Sequence, residues 1–316
     1  MSISVALCFI ISYEHVLQKE QFWINWIEPN KDIINVYFHY KDKKKIKSKW
    51  ILNNCIPEKF IKQTSYYDVV PAYIALLTYA FFNNIKNQWF CLLTDSCIPI
   101  ISPQDFRNLF LTYHNKSIIK CGKAHWNVDY HRRANLRLLD KKYHLCNDPW
   151  FTLCRYHVQL CNIFLTAKND VYKTINNGGL ANESLFAVIL ETFNEIQKNK
   201  KNKDRLINES STISDWSRMS TPTSPHLFNE YKEEDKNIIK LLIENNKYSM
   251  FLRKVNYKFP DEALLEIIKN NNKKNKIQLV EQHDINYKKY LKKYIFYFLF
   301  FYIFLKISFY LQYFLQ

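Results

Sequence analysis

Two hydrophobic rhythms alternate along the first third of the chain. Residues 3–11 form a continuous apolar run of strand length, the pattern of a strand covered on both faces. Residues 14–26 then place Val16, Phe22, Trp23 and Trp26 at helical spacing. Residues 33–40 are β-branched and aromatic and alternate, which predicts a second strand. After a charged, solvated loop at 41–49, residues 69–82 predict a long apolar helix that tolerates Pro71 in its first turn. Residues 89–93 predict a third strand, 103–113 a helix and 117–120 a return to strand. This β-α-β-α-β order predicts an α/β fold, a three-layer domain with a mainly parallel sheet flanked by helices.

The rhythm then loosens. Residues 123–147 are polar and basic and read as a long loop with no catalytic landmark, whereas 150–165 are apolar and aromatic. Residues 182–194 predict a helix, with Asn182 as its cap and Glu183 in its first turn. Residues 197–208 read as a Lys/Asn-rich linker, and 210–228 as a Ser/Thr/Pro-rich loop around Asp215 and Trp216. Helices are predicted at 234–245 and 260–270, followed by a low-complexity stretch at 271–275 that is expected to be disordered.

Composition narrows the class. A length of 316 residues suits one large domain or two small ones, and 47% hydrophobic content argues against general disorder. Three glycines exclude collagen-like and glycine-rich repeat architectures. None of the eight cysteines forms a CxxC pair, so no zinc site is expected, and Cys8 and Cys91 read as buried free thiols. The net charge of +16 invites a nucleic-acid or anionic-surface reading. Yet 19 of the 45 basic residues lie in four windows, 41–49, 198–205, 269–276 and 288–293. Outside them acids and bases nearly cancel, and no helix-turn-helix, zinc-finger or RNA-recognition signature is present. No nucleic-acid partner is expected.

The termini differ. Residues 1–11 lack a basic leader and a small-residue cleavage site, and read as a strand, with a signal peptide as the lesser reading. Residues 295–315 are almost wholly apolar and aromatic, interrupted by Lys306, and follow a basic collar at 288–293. About 21 helical residues span a bilayer core of roughly 30 Å. The first expectation is therefore a C-terminal membrane anchor and a membrane location, with an interfacial helix or a helix packed on the domain as the alternatives. Without the anchor, a cytoplasmic or secretory location is expected.

Six blocks carry a resemblance. The segment Trp89-Phe90-Cys91-Leu92-Leu93-Thr94-Asp95-Ser96-Cys97-Ile98-Pro99 resembles the F-x-L-L-S-E/D-S-C-I-P signature of the core-2/I-branching glycosyltransferases, family 14. In the same order, residues 3–12 resemble that family's first strand, and 68–77 its S-x-V-x-A helix. Asp148-Pro149-Trp150-Phe151-Thr152-Leu153-Cys154-Arg155 resembles G-S-Q-W-F-x-L-x-R. Asp215-Trp216 resembles V-D-W, and Phe251-Leu252-Arg253-Lys254-Val255 resembles F-A-R-K-F. The blocks span roughly 1–260. In three places the chain departs from the pattern. Pro149 replaces a small polar residue, and Lys41, with Asp42 one place late, stands where an acid would follow the second strand. No arginine is matched between the last two blocks, where Tyr231, Lys232 and His226 are the nearest candidates.

The resemblance implies a GT-A fold with a Rossmann-like sheet over 1–270, a linker at 271–287 and a separate collar and hydrophobic segment at 288–316. It implies an inverting transferase that moves a sugar, by default N-acetylglucosamine and alternatively xylose, from a UDP donor to a hydroxyl of a glycan or glycoprotein acceptor. A non-catalytic, glycan-binding or membrane-anchored relative is the alternative. Inversion needs one base, and the resemblance puts it on Glu183; the plainer reading is an acid serving a helix dipole. Arg253 and Lys254 are matched to the donor diphosphate. Asp95 supplies the one carboxylate where many such enzymes carry Asp-x-Asp, so basic side chains are expected in place of a metal, and no cofactor is implied. Asp95 would instead hold the donor sugar or ribose, or cap a helix. His39, at the end of the second strand, is placed on the donor side. Trp216 is placed on the acceptor, since an aromatic face stacks on a sugar ring; Trp150, placed there too, also reads as core or pocket wall.

Overall fold

The computed structural model describes residues 3–65, 67–196, 205–221 and 223–271. The chain divides into two units, 1–268 and 269–316. The second, with the expected linker, collar and hydrophobic segment, lies outside the described residues beyond Asn271.

The strands, in chain order, are β1 (Ser4–Ile10), β2 (Ile34–His39), β3 (Asn87–Thr94), β4 (Cys97–Pro99), β5 (Ser117–Ile118), β6 (Cys121–Lys123), β7 (Leu145–Asn147), β8 (Thr152–Cys154), β9 (Leu206–Ile207), β10 (Thr212–Ser214) and β11 (Phe251–Arg253). The helices are α1 (Glu20–Ile27), α2 (Lys49–Asn53), α3 (Val70–Asn83), α4 (Pro103–Tyr113), α5 (Arg155–Ala167), α6 (Asn169–Asn176), α7 (Leu185–Thr192) and α8 (Glu233–Asn245). Residues 261–268 are also helical.

Six strands form the main sheet in the order β2-β1-β3-β8-β5-β9. β1 pairs parallel with β2 and with β3, whereas β8 runs antiparallel to both β3 and β5. The α/β class is as expected, and the main sheet is mixed: β8 alone runs against the other five strands. The cause lies in the segment expected to be a loop. β6 and β7 form an antiparallel hairpin around it, which reverses the chain without a crossover helix. β8 therefore re-enters beside β5 in the opposite sense. The linker expected up to residue 208 likewise ends in β9, an edge strand parallel to β5.

The alternation along β1 and β3 sorts their side chains onto two cores. Ala6, Cys8, Phe90 and Leu92 pack with residues of α3, α5 and α7. Val5, Leu7, Phe9, Trp89, Cys91 and Leu93 pack with α1 and α4. Each fully buried Phe or Leu contributes about 1.5–3 kcal/mol of transfer free energy, which is why these continuous apolar runs form the middle of the sheet. Buried tryptophans bring a polar N–H that must be paired. Trp23 donates to the Cys97 carbonyl at 3.0 Å, Trp26 to that of Ile101 at 2.8 Å and Trp89 to that of Lys116 at 2.8 Å.

A second sheet has the order β10-β11-β4, with a core of its own that includes Ile98, Ile213, Leu252, Val255, Phe259 and Leu264. Asp95 and Ser96 form the two-residue turn between β3 and β4. They are where the chain leaves one sheet for the other.

The expected membrane location needs correction. No helix among the described residues is long and apolar enough to cross a membrane, and the segment 295–315 on which that expectation rested lies outside them.

Candidate active site

In an open α/β sheet the crevice forms outside the carboxyl ends of the strands, where neighbouring connections diverge to opposite sides. Here β1 continues to β2 on one side and borders β3 on the other. A cavity of about 480 Å³ opens at that point, within the size range of small-molecule sites. Ile10, Ser12, Thr94 and Asp95 form its floor, and Arg253 at the end of β11, with the residues that follow it to Tyr257, forms one wall. Tyr73, Trp150, Glu183 and Trp216 line it from other segments.

Six of the seven residues singled out in the sequence therefore meet in one cavity: Asp95, Trp150, Glu183, Trp216, Arg253 and Lys254. His39 does not. It is buried, and its Nε2 accepts the Lys62 N–H at 3.0 Å. Burial, with Lys41 nearby, holds its imidazole down to about 4 and hence neutral at pH 7. His39 thus lies outside the cavity lining and ties the end of β2 to the loop at 62.

Asp95 braces the floor. Its Oδ2 accepts the Ser12 N–H at 2.9 Å, and its main-chain carbonyl accepts the Gln18 N–H at 2.8 Å. One carboxylate oxygen is thus committed to the loop after β1. Among the described residues no group of three or more His, Cys, Asp or Glu side chains is arranged to hold a metal ion.

Arg253 reaches the cavity from β11. Its Nε donates to Thr94 Oγ1 at 3.4 Å, and its guanidinium lies 4.8 Å from the Trp150 ring centroid. Trp150 in turn packs on fully buried Tyr73, with ring centroids 5.6 Å apart. Burial pushes the Tyr73 phenol well above its usual range, against the pull of Arg253. Trp150 thus serves as a wall that orients a cation. Lys254 is fixed through its backbone, whose carbonyl accepts the Phe228 N–H at 2.9 Å.

Trp216 is half exposed, at 49%, on a loop held by charge. Asp215 is buried and accepts from Ser217 Oγ at 2.6 Å and from Arg218 Nε at 2.8 Å. Burial acts against its ionisation, but the Ser217 and Arg218 bonds hold it below the usual carboxylate range. Arg218 also meets Asp235 at the start of α8, at 2.9 Å. This arginine lies between the last two motif blocks and anchors the loop. His226, Tyr231 and Lys232 are not in the cavity lining.

Glu183 sits one step earlier than expected. It ends a single 3-10 turn, Ala181–Glu183, and Ser184 precedes α7. Asn182 does not cap the helix. Asn147 of β7 does so from across the core, its Oδ1 accepting the Ala187 N–H at 3.0 Å while its Nδ2 donates to the Asn182 carbonyl at 2.9 Å. Burial holds the Glu183 carboxyl above its usual range, and Arg133 offsets only part of that rise. Arg133 Nη1 is 3.3 Å from Glu183 Oε2. It comes from the segment that showed no landmark in the sequence. Apolar anchors spaced through its polar residues, among them Trp126, Val128, Leu136, Leu139 and Tyr143, signal that this segment is folded.

No curated protein matches the chain. A family model described as Core-2/I-Branching enzyme matches residues 7–240.

Proposed function

The chain belongs to the Core-2/I-branching enzyme family, and so is a glycosyltransferase; from that premise we propose an inverting, branching-type transfer of N-acetylglucosamine from a UDP donor to a glycan hydroxyl. The domain is read as a GT-A nucleotide-sugar domain over residues 1–270. One observation supports this most: Glu183 shares a single cavity with the cations Arg253 and Lys254 and with the exposed ring of Trp216.

In this reading Glu183 takes the proton of the acceptor hydroxyl as its oxygen attacks the anomeric carbon. The bond from that carbon to the UDP oxygen breaks, and its electron pair leaves with UDP. Arg253 and Lys254 offset the charge growing on the diphosphate, a role many related folds give to a metal. Asp95 fixes the floor and offers its remaining carboxylate oxygen to the donor sugar or ribose. Trp216 stacks on the acceptor, while Trp150 holds Arg253 in position.

The test is UDP release with a panel of UDP-sugars and β-galactoside acceptors, with and without EDTA. Glu183→Gln is expected to lower turnover by about 10²–10⁴-fold at unchanged Tm. Full turnover in that variant would remove the base assignment. Activity that persists in EDTA would support the basic side chains as the charge-stabilising groups.

A further inference from the structure

The candidate base is held from outside the matched motif blocks, by the hairpin excursion between β6 and β7. Arg133 Nη1 meets Glu183 Oε2 at 3.3 Å, and its guanidinium lies 5.1 Å from the Trp126 ring centroid. Both partners are partly buried, with side-chain exposures of 31% and 23%. The pair thus sits between a surface ion pair, which contributes little, and a fully desolvated one.

The backbones that carry the pair are clamped together. The Ala134 N–H donates to the Gly179 carbonyl at 2.8 Å, and Asn135 Nδ2 donates to the Thr174 carbonyl at 3.1 Å. At Gly178 even a Cβ would lie 2.3 Å from the Asn135 nitrogen, so only glycine permits this approach. Three non-glycine residues beside the pair occupy the left-handed region: Ala134 at φ 51°, Asn135 at φ 48° and Leu180 at φ 58°. Such conformations cost about 1–3 kcal/mol each and persist where surrounding structure over-determines them. Here two of them directly follow Arg133, and the third opens the turn that carries Glu183.

We infer that Arg133 is a positioning residue for this reaction: through one oxygen it holds Glu183 as an ionised carboxylate in a fixed orientation, ready to accept the acceptor's proton. The inference rests on the proposed role of Glu183 as base. The other titratable groups acting on Glu183 are Tyr73 of α3 and Cys146 of β7. Both are neutral at pH 7, because burial raises each above its ordinary range. Arg133 is therefore the group that offsets the burial of Glu183.

Two measurements on the full chain test this, with Arg133→Met and Arg133→Lys compared to wild type at matched Tm. The first is the pH dependence of kcat/KM. In Arg133→Met its acidic limb is expected to move to higher pH by about one unit and kcat to fall at least tenfold, with Arg133→Lys restoring part of the limb. A limb that superposes on wild type, with only the acceptor KM raised, would overturn the inference and leave Arg133 as an acceptor contact. The second needs no turnover: the Glu183 carboxyl is titrated by carbon NMR, assigned with Glu183→Gln. An upward shift in Arg133→Met is expected, and an unchanged titration would overturn the inference. If wild type transfers no sugar while the titration does shift, the proposed function fails and the coupling of Arg133 to Glu183 stands.

Discussion

At the scale of single residues, three of the charges in the cavity are each held by a group of a different kind. Asp95 is tied to a backbone amide, Arg253 to a hydroxyl and an aromatic ring, and Glu183 to a guanidinium. Among the described residues, the contacts of Arg253 are a hydroxyl and an aromatic ring, with no carboxylate. A guanidinium presents several fixed donors, which suits a diphosphate better than a sugar hydroxyl. Replacing Arg253 or Lys254 by Met is therefore expected to weaken UDP binding by about tenfold to a hundredfold, since a hydrogen bond to a charged group contributes about 1.5–3 kcal/mol. Calorimetric titration with UDP reads this directly, and wild-type affinity in both variants would displace the diphosphate from that wall.

The site was legible at this scale where a residue stands in a motif or at the end of an apolar strand. Asp95 and Arg253 are of that kind. His39 shows the converse: a polar residue at a strand end looks exposed to ligand in sequence, yet its ring spans two segments 23 residues apart. Arg133 was hidden for a related reason. Its partner lies 50 residues away, and no local pattern reports a pairing of that range.

At the scale of elements, the long ones were readable and most of the short ones after residue 120 were not. β1, β3, α3 and α4 carry enough apolar positions to express a period. β9 has two residues and β8 three, too few to show alternation, whereas the equally short β5 stands within the strand expected at 117–120. The apolar run at 150–165 hides a boundary, because β8 and α5 adjoin at Cys154 and Arg155 with no loop between them. Antiparallel entry of β8 leaves no trace in hydropathy at all. One side chain shows how such short elements are held. Asn147 of β7 caps α7 and holds the turn that bears Glu183. Asn147→Ala would leave buried partners unpaired at a cost of about 1–3 kcal/mol each. A Tm several degrees lower is expected, with kcat falling more than the donor KM changes; a variant with wild-type Tm and kcat would show that the turn is held by other contacts.

At the scale of the whole molecule, a buried polar network crosses the main sheet. His157 of α5 donates or accepts at Ser117 Oγ of β5, 2.6 Å away, and lies 3.4 Å from Glu195. Ser117 Oγ also accepts the Cys154 N–H at 2.8 Å. Burial alone would lower the His157 pKa, but its bonds to Cys154 and Glu195 outweigh that and raise it to about 9. A raised folded-state value means that the imidazolium stabilises the fold fully below about 6.5 and that this contribution is lost as pH rises through about 9. Denaturant midpoints are accordingly expected to decline between pH 7 and 9, and His157→Gln should flatten that decline. A decline of equal slope in the variant would assign it to other groups.

The second sheet places β11 in the middle, between β4 and β10, although β11 is made last. A ribosome adding about 5–20 residues per second needs roughly 8–30 seconds to travel from β4 to β11. For that interval the nascent chain presents an apolar strand whose only partner in its sheet has not been synthesised. Pro99, which offers no N–H at the end of β4, makes this waiting edge a poor template for a neighbouring chain. The residue that completes the family signature thus also guards the chain during its own synthesis.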